Sequence, residues 1–165
     1  DPQASYSFRH RIDIQAEILF DLEACYKKAP PCFVTDRTPL DAAAYTLSEY
    51  NRSTLHEVAD REVMAYLDRC VDLSGQYFSA YLILQPGVPL ENDMTKAPAL
   101  PAYMEHLSAI IVGMGLTAYT RHANITIVPQ GMLNMADRLQ ALSKISEGTQ
   151  KRFAERVPFN QILPM

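Results

Sequence analysis

The sequence predicts an α/β fold in which short parallel strands form a sheet flanked by helices. Three short runs rich in apolar and β-forming residues, at 32–35, 77–84 and 124–128, alternate with longer stretches whose apolar residues recur at helical spacing. This alternation favours parallel strands joined by right-handed helical crossovers. Three strands are few, because a sheet of this class usually has about five.

The first helix and the first strand are predicted on either side of a proline pair. Apolar residues repeat at helical spacing from Arg11 to Lys27, and basic residues followed by two prolines mark the end of that helix. The run Cys32–Thr35 lies between proline and charged residues, as is typical of a strand buried on both faces. Thr38-Pro39-Leu40-Asp41 then predicts a helix start, with a hydroxyl at the N-cap and proline at the first helical position.

The rest of the chain continues the alternation. A second capping box at Thr54–Glu57 opens a helix that Gly75 is predicted to close, and the second strand, 77–84, follows it. A proline-broken loop reaches Pro101, and a helix from Tyr103 ends near Gly113 and Gly115. After the third strand, a helix marked by Met135, Leu139 and Leu142 completes the pattern. We divide the chain into an α/β domain at 1–147 and a helical tail at 148–165.

Composition narrows the class of protein. A net charge of -4 disfavours a dedicated nucleic-acid surface, and no apolar run approaches the roughly 20 residues that span a bilayer. The three cysteines, Cys25, Cys32 and Cys70, lack a C-x-x-C pair and read as reduced, buried thiols of a cytoplasmic protein. The four histidines are scattered, so we predict no zinc site.

Asp36 and Arg37 are the leading catalytic candidates, because ligands of open parallel sheets lie beyond the carboxyl ends of the strands. An aspartate there holds a magnesium ion or takes a proton from an attacking hydroxyl, and an arginine grips phosphate oxygens. The helix start at Thr38 adds backbone N–H groups. An ordinary turn, with Arg37 paired to Asp41 at the surface, explains the same residues.

The order strand, Asp36-Arg37-Thr38-Pro39, helix, and then a strand ending in Gln85-Pro86, resembles P-loop kinase-like NTPases of the NadR-type nicotinamide riboside kinase group. Deoxynucleoside and thymidylate kinases have similar elements. The resemblance covers roughly residues 11–145 and implies a three-layer P-loop NTPase-like parallel sheet flanked by helices. It also implies that Asp36 acts near the nucleophile and Mg²⁺ and that Arg37 binds phosphate.

One departure from this family is large. The sequence contains no G-x-x-x-x-G-K-[ST] motif, so the phosphate-binding loop of the family and the strand before it are missing from the chain. Two explanations stay open: the sequence is a fragment, which we favour, or it is a degenerate relative that has lost ATP binding.

The resemblance implies further site residues. Gln15 falls where related kinases read a base, and Arg9 and Arg11 are candidates for a substrate phosphate, although solvent-exposed side chains explain all three. Lys96 is the basic residue of the predicted lid. The turn Pro129-Gln130-Gly131 falls where the family holds adenine, and it reads equally well as a plain strand-to-helix turn.

These observations predict an ATP- and Mg²⁺-dependent phosphotransferase that acts on a nucleoside, a nucleotide or a modified pyrimidine. Phage kinases of similar sequence extend the acceptors to a modified base in DNA, which the acidic balance disfavours. The alternative is a non-catalytic nucleotide-binding or regulatory module that keeps the fold without a P-loop.

Overall fold

A computed structural model of the chain describes residues 7–52, 60–87, 100–121 and 124–156. These residues form five helices and two strands. In chain order the elements are α1 (Phe8–Lys28), α2 (Pro39–Arg52), α3 (Asp60–Tyr77), β1 (Ala80–Leu84), α4 (Pro101–Arg121), β2 (Asn124–Val128) and α5 (Met135–Arg156).

The predicted three-layer, P-loop NTPase-like parallel sheet is wrong for these residues. The described chain is mostly helical, and its sheet has two strands. Helices α1 to α4 pack on one another around the buried residues, and α4 and α5 contact the sheet. The core is therefore chiefly a helix-on-helix core with a small sheet at its side.

The two strands that do form are parallel, as predicted. β1 pairs with β2 in a register that runs from Ala80 opposite Asn124 to Leu84 opposite Val128, and the N–H of Gln85 donates to the Val128 carbonyl at 3.1 Å. The bounds predicted for β2 are confirmed. β1 is shorter than predicted, because α3 continues past Gly75 to Tyr77.

The predicted strand at Cys32–Thr35 is absent, and this absence overturns the predicted fold class. The segment is irregular, and Val34 is 95% exposed. No described strand offers the segment a hydrogen-bond ladder, and the ring of Phe33 packs instead on the rings of Tyr26 and Phe78. A short apolar run does not by itself distinguish a strand from a loop that one aromatic side chain anchors.

The thiols are only partly as predicted. Cys70 is fully buried on α3, whereas Cys25 and Cys32 are exposed and the prediction that they are buried is wrong. Cys25 lies on the solvent side of α1, and Cys32 lies in the irregular segment that was predicted to be a strand.

Helix α2 lies at the centre of the helical core. Ala43 and Ala44 are completely buried and Ala42 and Leu40 are nearly so. Because alanine side chains are short, α1, α3 and α4 can all approach the α2 backbone closely, and each of them contacts it. The predicted helix start at Thr38 is confirmed, since Thr38 N and Oγ1 both donate to Asp41 Oδ2, at 2.9 and 2.7 Å.

Helix α5 is continuous through Gly148, the residue where the predicted tail begins. Its outer face is apolar, with Met135 and Leu139 more than half exposed. The capping box predicted at Thr54–Glu57 and residues 157–165 lie outside the described residues. Among the described helices, none combines the length and apolar character that a membrane span requires.

Candidate functional site

A cavity of about 170 Å³ opens between α1 and α2. One face of each helix lines it, because residues three and four apart on a helix point the same way. The lining residues are Phe8, Arg11, Ile12 and Gln15 from α1 and Tyr45, Thr46 and Glu49 from α2. The cavity therefore contains two of the three residues that the sequence assigned to substrate binding on α1.

An ion pair closes one side of this cavity. Arg11 Nη1 lies 2.7 Å from Glu49 Oε2, and both side chains are partly exposed. The pair joins α1 to α2, and both of its residues line the cavity. Arg9, the other predicted basic residue, is directed elsewhere and pairs with Glu62 of α3 at 2.8 Å. The structure thus separates Arg11 from Arg9.

Thr46 brings a buried hydroxyl to the cavity wall. The residue is 2% exposed, and its Oγ1 makes no hydrogen bond with any residue that the structure describes. The Tyr66 hydroxyl is near enough for Thr46 to influence its pKa, but its hydrogen bond goes to the Gln15 carbonyl at 3.2 Å. Burial raises the pKa of Tyr66, which keeps that hydroxyl protonated. Thr46 Oγ1 is therefore a buried hydroxyl next to Tyr66, on a residue that lines the cavity.

Asp36 and Arg37 are both exposed in the segment that joins α1 to α2, outside the cavity. Local hydrogen bonds shape this segment: Arg37 N donates to Thr35 Oγ1 at 3.2 Å, and Thr35 Oγ1 donates to the Arg37 carbonyl at 3.1 Å. Asp41 accepts from Thr38, so the N–H group of Thr38 serves the helix cap and is not left open for an anion.

The predicted nucleotide turn follows β2. Met132 N donates to the Pro129 carbonyl and Leu133 N to the Gly131 carbonyl, both at 3.0 Å. Gln130 Nε2 lies 3.2 Å from Glu105 Oε1. A Cβ added to Gly131 would touch nothing, so this glycine is not required by packing. The geometry is that of an ordinary strand-to-helix connection.

Arg138, in the first turn of α5, packs between this turn and the segment that follows β1, a contact that was not predicted from the sequence. Its Nε donates to the Met132 carbonyl at 2.6 Å, and its Nη2 is buried under the backbone of Gly87. A Cβ on Gly87 would overlap that nitrogen and lie 2.6 Å from the Gln130 carbonyl oxygen. The guanidinium therefore bonds to the turn after β2 and lies against the segment that follows β1, where its Nη2 has no described hydrogen-bond partner.

Asp36, the residue predicted to bind Mg²⁺, does not lie in a described group of metal-ligating side chains. In residues 7–52, 60–87, 100–121 and 124–156 no three histidine, cysteine or carboxylate side chains are grouped as metal ligands, and Asp36 is a single exposed carboxylate. Lys96, the predicted lid residue, lies outside the described residues.

Sequence reasoning missed five residues of the cavity: Phe8 and Ile12 on α1, and Tyr45, Thr46 and Glu49 on α2. Tyr45, Thr46 and Glu49 lie two or more turns beyond the helix start at Thr38, in a stretch that reads as plain amphipathic helix. The available signal was their spacing, which puts all three on one side of α2.

Comparisons of the chain with protein-family models, with curated proteins and with solved structures found no match. The kinase resemblance of the Asp36-Arg37 element therefore stays a prediction.

Proposed function

We propose that the cavity between α1 and α2 binds the base of a nucleoside, a nucleotide or a modified pyrimidine. In this proposal the chain supplies the acceptor-binding part of an ATP-dependent phosphotransferase. The observation that carries it is that Gln15 and Arg11, chosen from the sequence as substrate residues, line one cavity with a buried hydroxyl that lacks a described partner.

The size and lining of the cavity support a flat, polar ring as the ligand. Pockets for drug-sized molecules measure roughly 300–1,000 Å³, so about 170 Å³ suits a single ring and not a complete nucleotide. Phe8 and Ile12 provide apolar contacts for the faces of a ring, and the side chains of Gln15 and Thr46 offer both donors and acceptors to its edge.

The position of Asp36 and Arg37 suits the phosphate end of such a ligand. Thr46 lies eight residues after Thr38, which corresponds to roughly 12 Å along the axis of α2. A ligand with its ring in the cavity reaches the amino end of α2 only through a sugar and a phosphate. There Arg37 would bind phosphate oxygens and Asp36 would accept the proton of an attacking hydroxyl.

The exposure of Asp36 and Arg37 outside the cavity favours a second function. A module that binds the base without transferring phosphate needs the cavity and not these two side chains. Replacement of Asp36 by asparagine separates the two functions. A loss of phosphoryl transfer of at least 100-fold (roughly 3 kcal/mol of transition-state stabilisation) supports catalysis, and transfer within a few-fold of wild type contradicts it.

Binding to the cavity is tested by titrating uridine, thymidine and adenosine into the protein, followed by calorimetry and by NMR shifts of the lining residues. Gln15→Ala should weaken pyrimidine nucleoside binding by about 5- to 100-fold, the cost of roughly 1–3 kcal/mol for lost hydrogen bonds to the ring edge. Gln140→Ala on the exposed face of α5 is the matched control and should bind as wild type. The proposal fails if no nucleoside shifts the lining residues, or if Gln15→Ala binds unchanged.

A further inference from the structure

Tyr26 lies at the centre of an aromatic cluster near the carboxyl end of α1. The residue is 6% exposed. Its ring stacks on Phe33, with centroids 5.9 Å apart, and meets the edge of Phe78 at 5.0 Å, while Tyr77 lies at 5.5 Å. The cluster joins α1, the irregular segment before α2 and the end of α3.

The hydroxyl of Tyr26 reaches beyond this cluster to the catalytic candidates. It donates to the Arg37 carbonyl at 2.8 Å. Other described contacts of residues 34–37 are local, since Val34, Asp36 and Arg37 are exposed and Thr35 bonds within the segment. The segment is thus attached to α1 at two points, through the Phe33 ring and through the Arg37 carbonyl, and Tyr26 makes both attachments.

We infer that Tyr26 is the positioning residue that fixes Asp36 and Arg37 relative to the cavity. That Arg37 binds a phosphate rests on the proposed function. The positioning itself rests on the hydrogen bond from Tyr26 to the Arg37 carbonyl and on the contact between the Tyr26 and Phe33 rings. A tyrosine suits this role because its ring contacts Phe33 while its hydroxyl bonds to the carbonyl of Arg37, farther along the same segment.

Helix α1 connects the cavity residue Gln15 to Tyr26 through a rigid stretch of helix. Gln15 and Tyr26 are eleven residues apart on it, or roughly 16 Å along its axis. Because an α-helix is stiff over three turns, the cavity end and the Arg37 end of the site keep a constant separation. A ligand that spans both ends is then selected by its length as well as by its base.

The chemical state of Tyr26 is consistent with a permanent donor. Burial, helped by the nearby Asp41 carboxylate, raises the pKa of Tyr26 to about 12. The hydroxyl therefore stays protonated, and able to donate to Arg37, throughout the neutral pH range.

The test compares Tyr26→Phe, which keeps the ring and removes the donor, with Tyr77→Phe, a control in the same cluster. Amide hydrogen exchange at Arg37 and Thr38 should accelerate at least 5-fold in Tyr26→Phe and stay at the wild-type rate in Tyr77→Phe. A pyrimidine nucleoside 5′-monophosphate should bind Tyr26→Phe several-fold more weakly than wild type, while the parent nucleoside binds both equally.

The inference is overturned if exchange at Arg37 and Thr38 is unchanged in Tyr26→Phe, or if both variants accelerate it equally. An equal loss of nucleoside and monophosphate binding also overturns it, because the effect is then not confined to the phosphate end. If wild type binds neither ligand, the proposed function fails and the exchange rates alone decide the positioning role. If Tyr26→Phe folds poorly, Phe33→Leu replaces it in the test. This variant weakens the ring contact and keeps the Tyr26 hydroxyl. Unchanged amide exchange at Arg37 in Phe33→Leu then counts against the inference.

Discussion

Thr46 illustrates how a buried polar group can indicate a binding site. A hydroxyl that leaves water without gaining a partner destabilises the folded protein, and the cost is recovered when a ligand supplies the missing bond. Along α2, Thr46 lies between the buried Ala43 and Ala44 and the half-buried Leu47, with the exposed Tyr45 beside it.

Thr46→Val should therefore have opposite effects on stability and on binding. We expect the free energy of unfolding to rise by about 1 kcal/mol, because an unpaired hydroxyl is replaced by a methyl group of similar shape. Nucleoside binding should weaken by a comparable amount, about 5-fold. Urea unfolding and calorimetry measure the two quantities.

Thr46→Ser is the control for this prediction, since it keeps the hydroxyl and should preserve nucleoside binding. If Thr46→Val binds as tightly as wild type, the hydroxyl does not face the ligand. If Thr46→Val is less stable than wild type, the Thr46 hydroxyl already has a hydrogen-bond partner in the free protein.

Individual residues of the cavity were only partly predicted from the sequence. Gln15 and Arg11 were selected and lie in the cavity, whereas Arg9 pairs with Glu62 away from it. Thr46 was missed because a threonine on an amphipathic helix is ordinary. Its burial and its missing partner depend on how α1 packs against α2, which no local pattern encodes.

At the scale of elements, glycine was given too much weight as a helix terminator. Helices α3 and α4 were predicted to end at or near glycines, yet both continue through them, and α5 continues through the glycine at which the tail was predicted to begin. A single glycine costs a helix only about 1 kcal/mol relative to alanine, and tertiary packing readily outweighs that. The helix starts were more reliable, because a cap such as Thr38 with Asp41 is a complete local interaction.

Two glycines of α4 allow a matched test of this argument. A Cβ on Gly113 would touch nothing, whereas one on Gly115 would overlap Ile83 Cδ1 of β1, where α4 crosses the sheet. Gly113→Ala should raise the free energy of unfolding by up to about 1 kcal/mol through helix propensity. The free energy of unfolding of Gly115→Ala should be about 1–3 kcal/mol lower than that of Gly113→Ala, because Ile83 must move. Denaturant melts of both variants measure the difference, and equal stabilities would mean that α4 does not pack closely on β1.

For the whole molecule, the buried groups of α3 and its neighbours predict loss of stability at alkaline pH. Burial raises the pKa of the Cys70 thiol to about 12. The unfolded chain releases this proton near pH 9, so stability is complete below pH 9 and is lost as the pH rises toward 12. The expected loss from this thiol is about 1.4 kcal/mol by pH 10.

Urea unfolding between pH 7 and pH 10 under reducing conditions measures this loss. Cys70→Ala should be less stable than wild type at pH 7 because of the cavity it creates, and its stability should fall less between pH 8 and pH 10. Cys25→Ala, at an exposed thiol, should follow the wild-type curve. Parallel curves for wild type and Cys70→Ala would show that the thiol titrates alike in the folded and unfolded chain.

The sequence by itself determined which stretches are helical, though not where α3 and α4 end, and it determined the cap at Thr38 and the strand at 124–128, because periodicity and capping are local properties. Only the tertiary structure decided that Cys32–Thr35 does not join the sheet, because a strand needs a neighbouring strand with which to pair. The Phe33 ring packs on Tyr26 instead. The same long-range packing placed Gln15 beside Thr46 and tied Arg37 to Tyr26. Spacing along the chain carries no record of such contacts between helices.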